Sequence, residues 1–232
     1  WLATHLMSSS KKGISAHQLH RMLGVTYKTA WFMAHRIREC MRDGFPGPLG
    51  GEDKTVEVDE MYVGPTTYKK KRGKLVSERG TAGKTIVVAL VERGGKARSI
   101  IVEKISREEI AKIILKNANR ASTLSTDEAN WYKFVGGDFI VHHTVNHKRG
   151  EYARGAAHTN TVEGFFSIFR RGMRGVYQHC SEKHLQRYLD EFDFRYSHRE
   201  ACGYNDAERA EAAIKGAEGK RLVYRQADRR AA

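Results

Sequence analysis

Thr55-Val-Glu-Val-Asp-Glu-Met-Tyr-Val63 is the stretch on which the fold turns. Val56, Val58, Glu60 and Tyr62 alternate with Glu57, Asp59, Met61 and Val63, and that period of two predicts a β-strand. Asp59 then sits inside a strand between apolar neighbours, where a carboxylate is costly to bury without a partner and a metal ion would supply one. Taken alone, the residue fits better a plainer reading, an edge strand with Asp59 and Glu57 on its solvent side.

Downstream, residues 84–92 and 97–104 are two further β-rich runs, separated by the turn signal Arg93-Gly94-Gly95 and expected to form a hairpin. A helix is expected over 107–119. Residues 122–126 read as a short fourth strand ending at Asp127, and 139–142 as a fifth. A strand end is where binding residues often sit in α/β sheets, although Asp is also a routine cap for a following helix. The remainder reads as helical, strongly patterned over 182–196 and weakly over 206–215. This order predicts an α/β domain over 55–200 with a mixed sheet that begins antiparallel. Between the first two strands, residues 68–84 (YKKKRGKLVSERGTAGK) read as a long, mobile basic loop. Such a run is by default a solvated one, and Lys69, Lys70, Lys71 and Arg72 are its candidate contacts to a polyanion.

Upstream, residues 14–42 read as two helices about a tight turn. Ile14, Leu19, Met22 and Leu23 pattern the first, Gly24-Val25-Thr26 breaks it, and the second carries Lys28, His35, Arg36, Arg38 and Arg42. That is the arrangement of a helix-turn-helix, placed at 1–43, whose later helix enters a DNA groove with Tyr27, Lys28 and Arg36 as contacts. An ordinary helix pair with a solvated basic face is the alternative. The segment Gly44-Phe-Pro-Gly-Pro-Leu-Gly-Gly51 supplies a linker, set at 44–54, and 201–232 is expected to be a helical tail.

Across 232 residues, 41 Lys and Arg stand against 27 Asp and Glu, a net charge of +14. That excess favours a nucleic-acid partner through phosphate neutralisation and counterion release. No apolar run approaches membrane-spanning length and no basic amphipathic helix dominates, so no membrane partner is expected. Cys40, Cys180 and Cys202 are odd in number and far apart, which excludes a readable disulfide framework or zinc ribbon and fits a reducing cytoplasm. The chain opens at Trp1 without a signal-peptide pattern, which suggests a fragment whose natural start lies upstream.

The chemistry is carried by His158-Thr-Asn-Thr-Val-Glu-Gly-Phe-Phe-Ser-Ile-Phe-Arg-Arg171. Helical spacing puts Asn160, Glu163, Ser167 and Arg170 on one face and Val162, Phe165, Phe166 and Phe169 on a separate apolar stripe. Asp59, Asp127 and Glu163 are then three carboxylates from distant elements that could together hold divalent metal on a phosphate substrate. Asn-x-x-Glu at a helix start is also a capping box, with Asn160 accepting from the N3 amide and Glu163 reaching back to the cap, which would leave Glu163 without chemistry.

Val56-Glu-Val-Asp-Glu-Met-Tyr-Val63, Ser125-Thr-Asp127, Val145-Asn-His147, the run from His158 to Ser167 and Arg187-Tyr-Leu-Asp-Glu-Phe-Asp-Phe-Arg-Tyr196 resemble, in their order and spacing, the ISXO-like insertion-sequence transposases. The resemblance covers roughly residues 50–200. It implies an RNase H-like core of the DDE/D superfamily that uses Mg²⁺ or Mn²⁺ to cut and join the ends of a mobile DNA element. A homodimer or higher oligomer on DNA, in the bacterial cytoplasm at the nucleoid, goes with that. Asp59 carries over as the first catalytic acid and Asp127 as the second, and for a third position that is Asn or Glu in the family this chain offers Asn160 and Glu163. Arg170 stands where related transposases have a basic residue, and with Arg171 it would meet phosphate, a planar cation suiting bidentate contact. Two ions would activate water or a DNA 3′-OH and stabilise the leaving oxygen, with Asp59 bridging them. His143, His147 and His158 lie near the third motif and could orient phosphate or water, although such histidines are more often structural. The Cys-rich zinc ribbon that family members tend to carry ahead of the helix-turn-helix has no counterpart here. A non-catalytic DNA-binding relative and a nuclease on the same fold are the alternative readings.

Overall fold

The computed structural model describes residues 1–42, 47–64, 68–71, 74–77, 83–145, 153–178 and 180–220. It divides into two compact units, one of residues 1–46, 94–96 and 167–232, the other of 47–93 and 97–166.

The second unit is built on strands β1 (Thr55–Val63), β2 (Tyr68–Lys71), β3 (Lys74–Ser77), β4 (Thr85–Glu92), β5 (Ala97–Val102), β6 (Thr123–Asp127), β7 (Val141–Val145), β8 (Ala153–Arg154) and β9 (Ala157–His158). Five of them form a mixed sheet in the order β5-β4-β1-β6-β7, flanked by helices as the RNase H-like reading expects. β1 pairs antiparallel with β4, Val58 opposite Leu90, and parallel with β6, Val56 beside Leu124 and Glu57 beside Ser125. It is therefore a central strand and not the edge strand that Asp59 alone favoured. Glu57 on this strand is wholly buried, against Thr161, Val162 and Arg93. β4 shows the same setting in its sequence, since Val87, Val88, Ala89, Leu90 and Val91 form an unbroken apolar run buried on both faces.

One face of the sheet packs Val56, Val58, Val88, Leu90 and Leu124 against Ile110, Ile113 and Ile114 of helix α4 (Arg107–Asn117) and against Tyr132, Val135 and Phe139. α4 starts where Ser106 Oγ accepts from the Glu109 amide at 3.2 Å, with Glu108 and Glu109 complementing the positive end of the helix dipole. It stops at Asn117, two residues before the expected end, because Leu49 pairs with Ala118 in a parallel bridge and exchanges backbone hydrogen bonds of 2.8 Å with Asn117 and Asn119. The fifth strand starts later than expected, at Val141, since a 3-10 turn over Gly136–Asp138 first delivers Phe139 into the core. The stretch read as a basic loop contains an antiparallel hairpin instead, β2 with β3, Tyr68 opposite Ser77 and Lys71 opposite Lys74. Arg72 lies outside the described residues.

The first unit gathers helices α1 (Leu2–Ser9), α2 (Ala16–Leu23), α3 (Tyr27–Met41), α6 (Glu182–Ser197) and α7 (Asp206–Lys215). Gly24 ends α2 in the left-handed conformation at φ 67°, and Thr26 Oγ1 caps α3 by accepting from the Thr29 amide at 3.2 Å. Met7, Leu19, Ala30, Ala34, Ile37 and Met41 pack with Phe194 and Ala213 from the chain's other end. Two readings of the helix pair are corrected. Met22 is exposed, and His35 and Arg38, read among the polar residues of the helix that enters a DNA groove, are buried. Arg38 Nε donates to Glu191 Oε2 at 2.7 Å, and that carboxylate also takes Tyr177 Oη at 2.5 Å and Arg195 at 3.2 Å. Burial makes His35 hard to charge and holds it down at about 3, helped by the Arg38 cation.

Candidate active site

β1 and β6 run parallel with Glu57 beside Ser125, and two residues further along their strands stand Asp59 and Asp127. Asp127 is the last residue of β6, while Asp59 stands in the middle of β1. A carboxylate oxygen of Asp59, one of Asp127 and one of Glu60 all lie within 4.8 Å of one another. Each acid is oriented by a local bond: the Glu60 amide donates to Asp59 Oδ1 at 2.8 Å, the Ala129 amide to Asp127 Oδ1 at 2.9 Å, and Tyr132 Oη to Glu60 Oε2 at 2.6 Å.

Three like charges at this spacing, half-buried, cannot all stay ionised at no cost. Burial, with the Glu60 charge next and those of Asp127 and Glu163 after it, pushes the Asp59 carboxyl up to about 8. Burial raises Glu60 as well, and Tyr132, fully buried against that acid, is held well above the usual phenol range. A hard divalent cation removes such strain, because it prefers carboxylate oxygens and offsets their repulsion. The donor set on this chain fits one.

The sequence reading missed Glu60. Alternation assigned it to the core face of β1, and the available signal was that an acid on an apolar face needs a partner. Tyr132 is that partner.

Helix α5 (Asn160–Gly172) carries both candidates for the third position. Asn160 is the first residue of α5 rather than the residue before it. The Glu163 amide donates to the Thr159 carbonyl at 3.1 Å, Glu163 Oε1 accepts from Thr159 Oγ1 at 2.9 Å, and the first-turn amides of Thr161 and Val162 go to Glu57 Oε2 at 2.7 and 3.0 Å. A buried acid from the neighbouring strand thus does the work expected of Asn160. Asn160 and Glu163 are both exposed, and Glu163 is not among the three acids whose oxygens converge, although its charge is felt at Asp59. Of the histidines, His158 places Nδ1 3.1 Å from Glu57 Oε1, His143 is half-buried on β7, and His147 lies outside the described residues. His142, not singled out in the sequence, is 2.9 Å from Thr126 Oγ1, and burial holds it below the usual imidazole range.

The residues expected to meet DNA are placed as follows. Tyr27, Lys28 and Arg36 are exposed on α3, Tyr27 stacked on His17 with ring centroids 4.3 Å apart and Arg36 5.5 Å from the Phe32 ring centre. Lys69, Lys70 and Lys71 fall on β2. Arg170 and Arg171 are exposed on α5, and Arg171 Nε donates to the Ser167 carbonyl at 3.2 Å. Among the described residues no helix is long and apolar enough to cross a membrane.

Fold and site together define an α/β protein that gathers hard oxygen donors from the middle of one sheet strand and the end of another. Residues 48–197 match the ISXO2-like transposase domain, and the chain belongs to that transposase family. Among solved structures, the Drosophila P element transposase strand transfer complex aligns over 93% of this chain and 62% of that one at 9% identity, with a TM-score of 0.29, too low to define a shared fold. No curated protein matches the chain significantly.

Proposed function

We propose that this chain cleaves the ends of an insertion-sequence DNA element and joins them to target DNA with divalent metal. The observation that carries the reading is the convergence of the Asp59, Glu60 and Asp127 carboxylates in a member of a transposase family. Asp59 and Asp127 would hold Mg²⁺ or Mn²⁺, two ions in the reading the resemblance implies, with Glu163 or Asn160 as the third position. The bound metal would supply a nucleophilic oxygen at neutral pH and charge neutralisation at the phosphate.

The chain's own residues do the rest. Asp59, Asp127 and Glu60 keep their oxygens aimed by the bonds already described, so little reorganisation is needed when charge arrives. Arg170 and Arg171 meet the scissile or neighbouring phosphate. Tyr27, Lys28 and Arg36 read the element ends in a helix-turn-helix mode, while Lys69, Lys70, Lys71 and Arg72 hold the DNA backbone without regard to sequence. The active assembly is a homodimer or larger complex on DNA.

The test is cleavage of candidate element ends by the full chain with Mg²⁺ and then with chelator. Cleavage that requires metal and is lost in Asp59→Asn and Asp127→Asn, with DNA binding kept, supports the reading. Wild-type cleavage by either variant removes that residue from the site.

A further inference from the structure

Glu57 holds no metal in the reading above, yet it lies two residues before Asp59 on the same face of β1 and is wholly buried. Its bonds lead to one place. Besides the two α5 amides, Oε1 accepts from Thr161 Oγ1 at 2.8 Å and from Arg93 Nε at 2.6 Å. Arg93 uses its other nitrogens on the Ala156 and His158 carbonyls, both at 2.9 Å, and Ser125 Oγ donates to the same His158 carbonyl at 2.7 Å. The chain entering α5 is therefore pinned from β1, from the end of β4 and from β6.

An apolar residue could pack β1 against a helix at lower desolvation cost than a buried ion pair. What a carboxylate adds is direction, because its oxygens accept only where the unpaired first-turn amides stand. Those amides belong to the turn that carries Asn160 and Glu163, and the Glu163 charge reaches Asp59.

We propose that Glu57, held by Arg93, is the positioning residue of the acid site, fixing the first turn of α5 so that its polar residues are presented to Asp59 and Asp127. This rests on the metal-dependent transposase reading of that site. Glu57 touches neither metal nor DNA; it sets where the third position stands.

Mn²⁺ alone is the probe, titrated into the full chain with free ion read by electron paramagnetic resonance, for wild type, Glu57→Gln, Glu163→Gln and the double variant. Each single change is expected to weaken Mn²⁺ binding about tenfold, the scale of removing an outer partner of a metal ligand. The double variant should bind no worse than about the weaker single one, because a displaced helix no longer delivers its acid and the two losses are one loss. If Glu163→Gln is silent, Asn160→Ala takes its place in the cycle. Unchanged affinity in Glu57→Gln, or losses that multiply to about a hundredfold, would overturn the proposal. Should Glu57→Gln fail to fold, Thr161→Val removes one bond and leaves the buried ion pair; a loss of about threefold, absent on a Glu163→Gln background, supports the clamp, and none overturns it. Failure of the underlying site reading has its own signature: Asp59→Asn then binds Mn²⁺ as the wild type does, and the clamp, with nothing to position, falls too.

Discussion

Replacing Asp59 with Asn should stabilise the metal-free protein, and the amount is set by pH. The folded carboxyl titrates at about 8, while in the unfolded chain an Asp titrates near ~4. The shift is upward, opposite to that of a salt-bridged acid, so this group's contribution is complete below pH ~4, is lost as pH rises from ~4 to ~8, and is flat above. At pH 7 the folded state is disfavoured by roughly 4 kcal/mol, the three-unit gap between ~4 and 7 at ~1.4 kcal/mol each. Asn keeps an oxygen for the Glu60 amide, which now bonds Asp59 Oδ1 at 2.8 Å, so the neutral amide inherits the local geometry without the charge. With chelator, denaturant unfolding should show Asp59→Asn more stable by about 2–4 kcal/mol at pH 7 and equal to wild type at pH 4. Mg²⁺ at about 100 times its dissociation constant should return roughly 2.7 kcal/mol to the wild type and nothing to the variant. A gain of the same size at pH 4 and pH 8, or a variant less stable than wild type at pH 8 in chelator, would refute the reasoning.

Log affinity for duplex DNA should fall linearly with log salt, with a slope of about −0.9 per phosphate contacted, and a flat response would remove the nucleic-acid reading. Changing Lys69, Lys70, Lys71 and Arg72 to Ala should weaken binding to all sequences alike, whereas changes at Tyr27, Lys28 or Arg36 should narrow the gap between element ends and random DNA in competition assays. Glu163→Gln should abolish Mg²⁺-dependent cleavage in a folded, DNA-binding protein if Glu163 is the third acid; normal cleavage by it, with a folded but inactive Asn160→Ala, moves the position to Asn160. Asn160→Ala should change stability by no more than about 0.5 kcal/mol, since Glu57 takes the first-turn amides, and a loss near 1 kcal/mol in a melt would restore the capping reading. Arg38→Ala, which strips Glu191 of its 2.7 Å partner in the interior, should lower stability by about 3 kcal/mol, and a change under ~1 kcal/mol would mean that Arg195 and Tyr177 suffice.

Element order was legible because each strand and helix writes its own period into the sequence. Asp59 and Asp127 could be chosen as site residues, but their adjacency depends on a parallel register between strands more than sixty residues apart, which no local pattern encodes. Glu57 shows the same limit from the other side. On a strand it alternates like any solvent-facing acid, and only the arrival of Thr161, more than a hundred residues on, makes it an interior cap. Arg38 misled in the same way, since a helix rich in basic residues does not say which of them will meet an acid 153 positions away. Glu60 was passed over because the pleat put it on the apolar side, and the phenol that draws it in comes from residue 132.

The first unit takes its helices from both ends of the chain, α1 to α3 from the beginning and α6 and α7 from residues 182–215. On the ribosome those halves are born far apart in time. At ~5–20 residues per second, about 10–35 s separate the release of α3 from that of the helices it packs with. Throughout that interval Leu19, Ala30, Ala34 and Ile37 lack Phe194 and Ala213, so this core cannot be completed until the later helices emerge. Completion of the first unit is therefore tied to the end of this stretch of synthesis, whatever the stability of the finished fold.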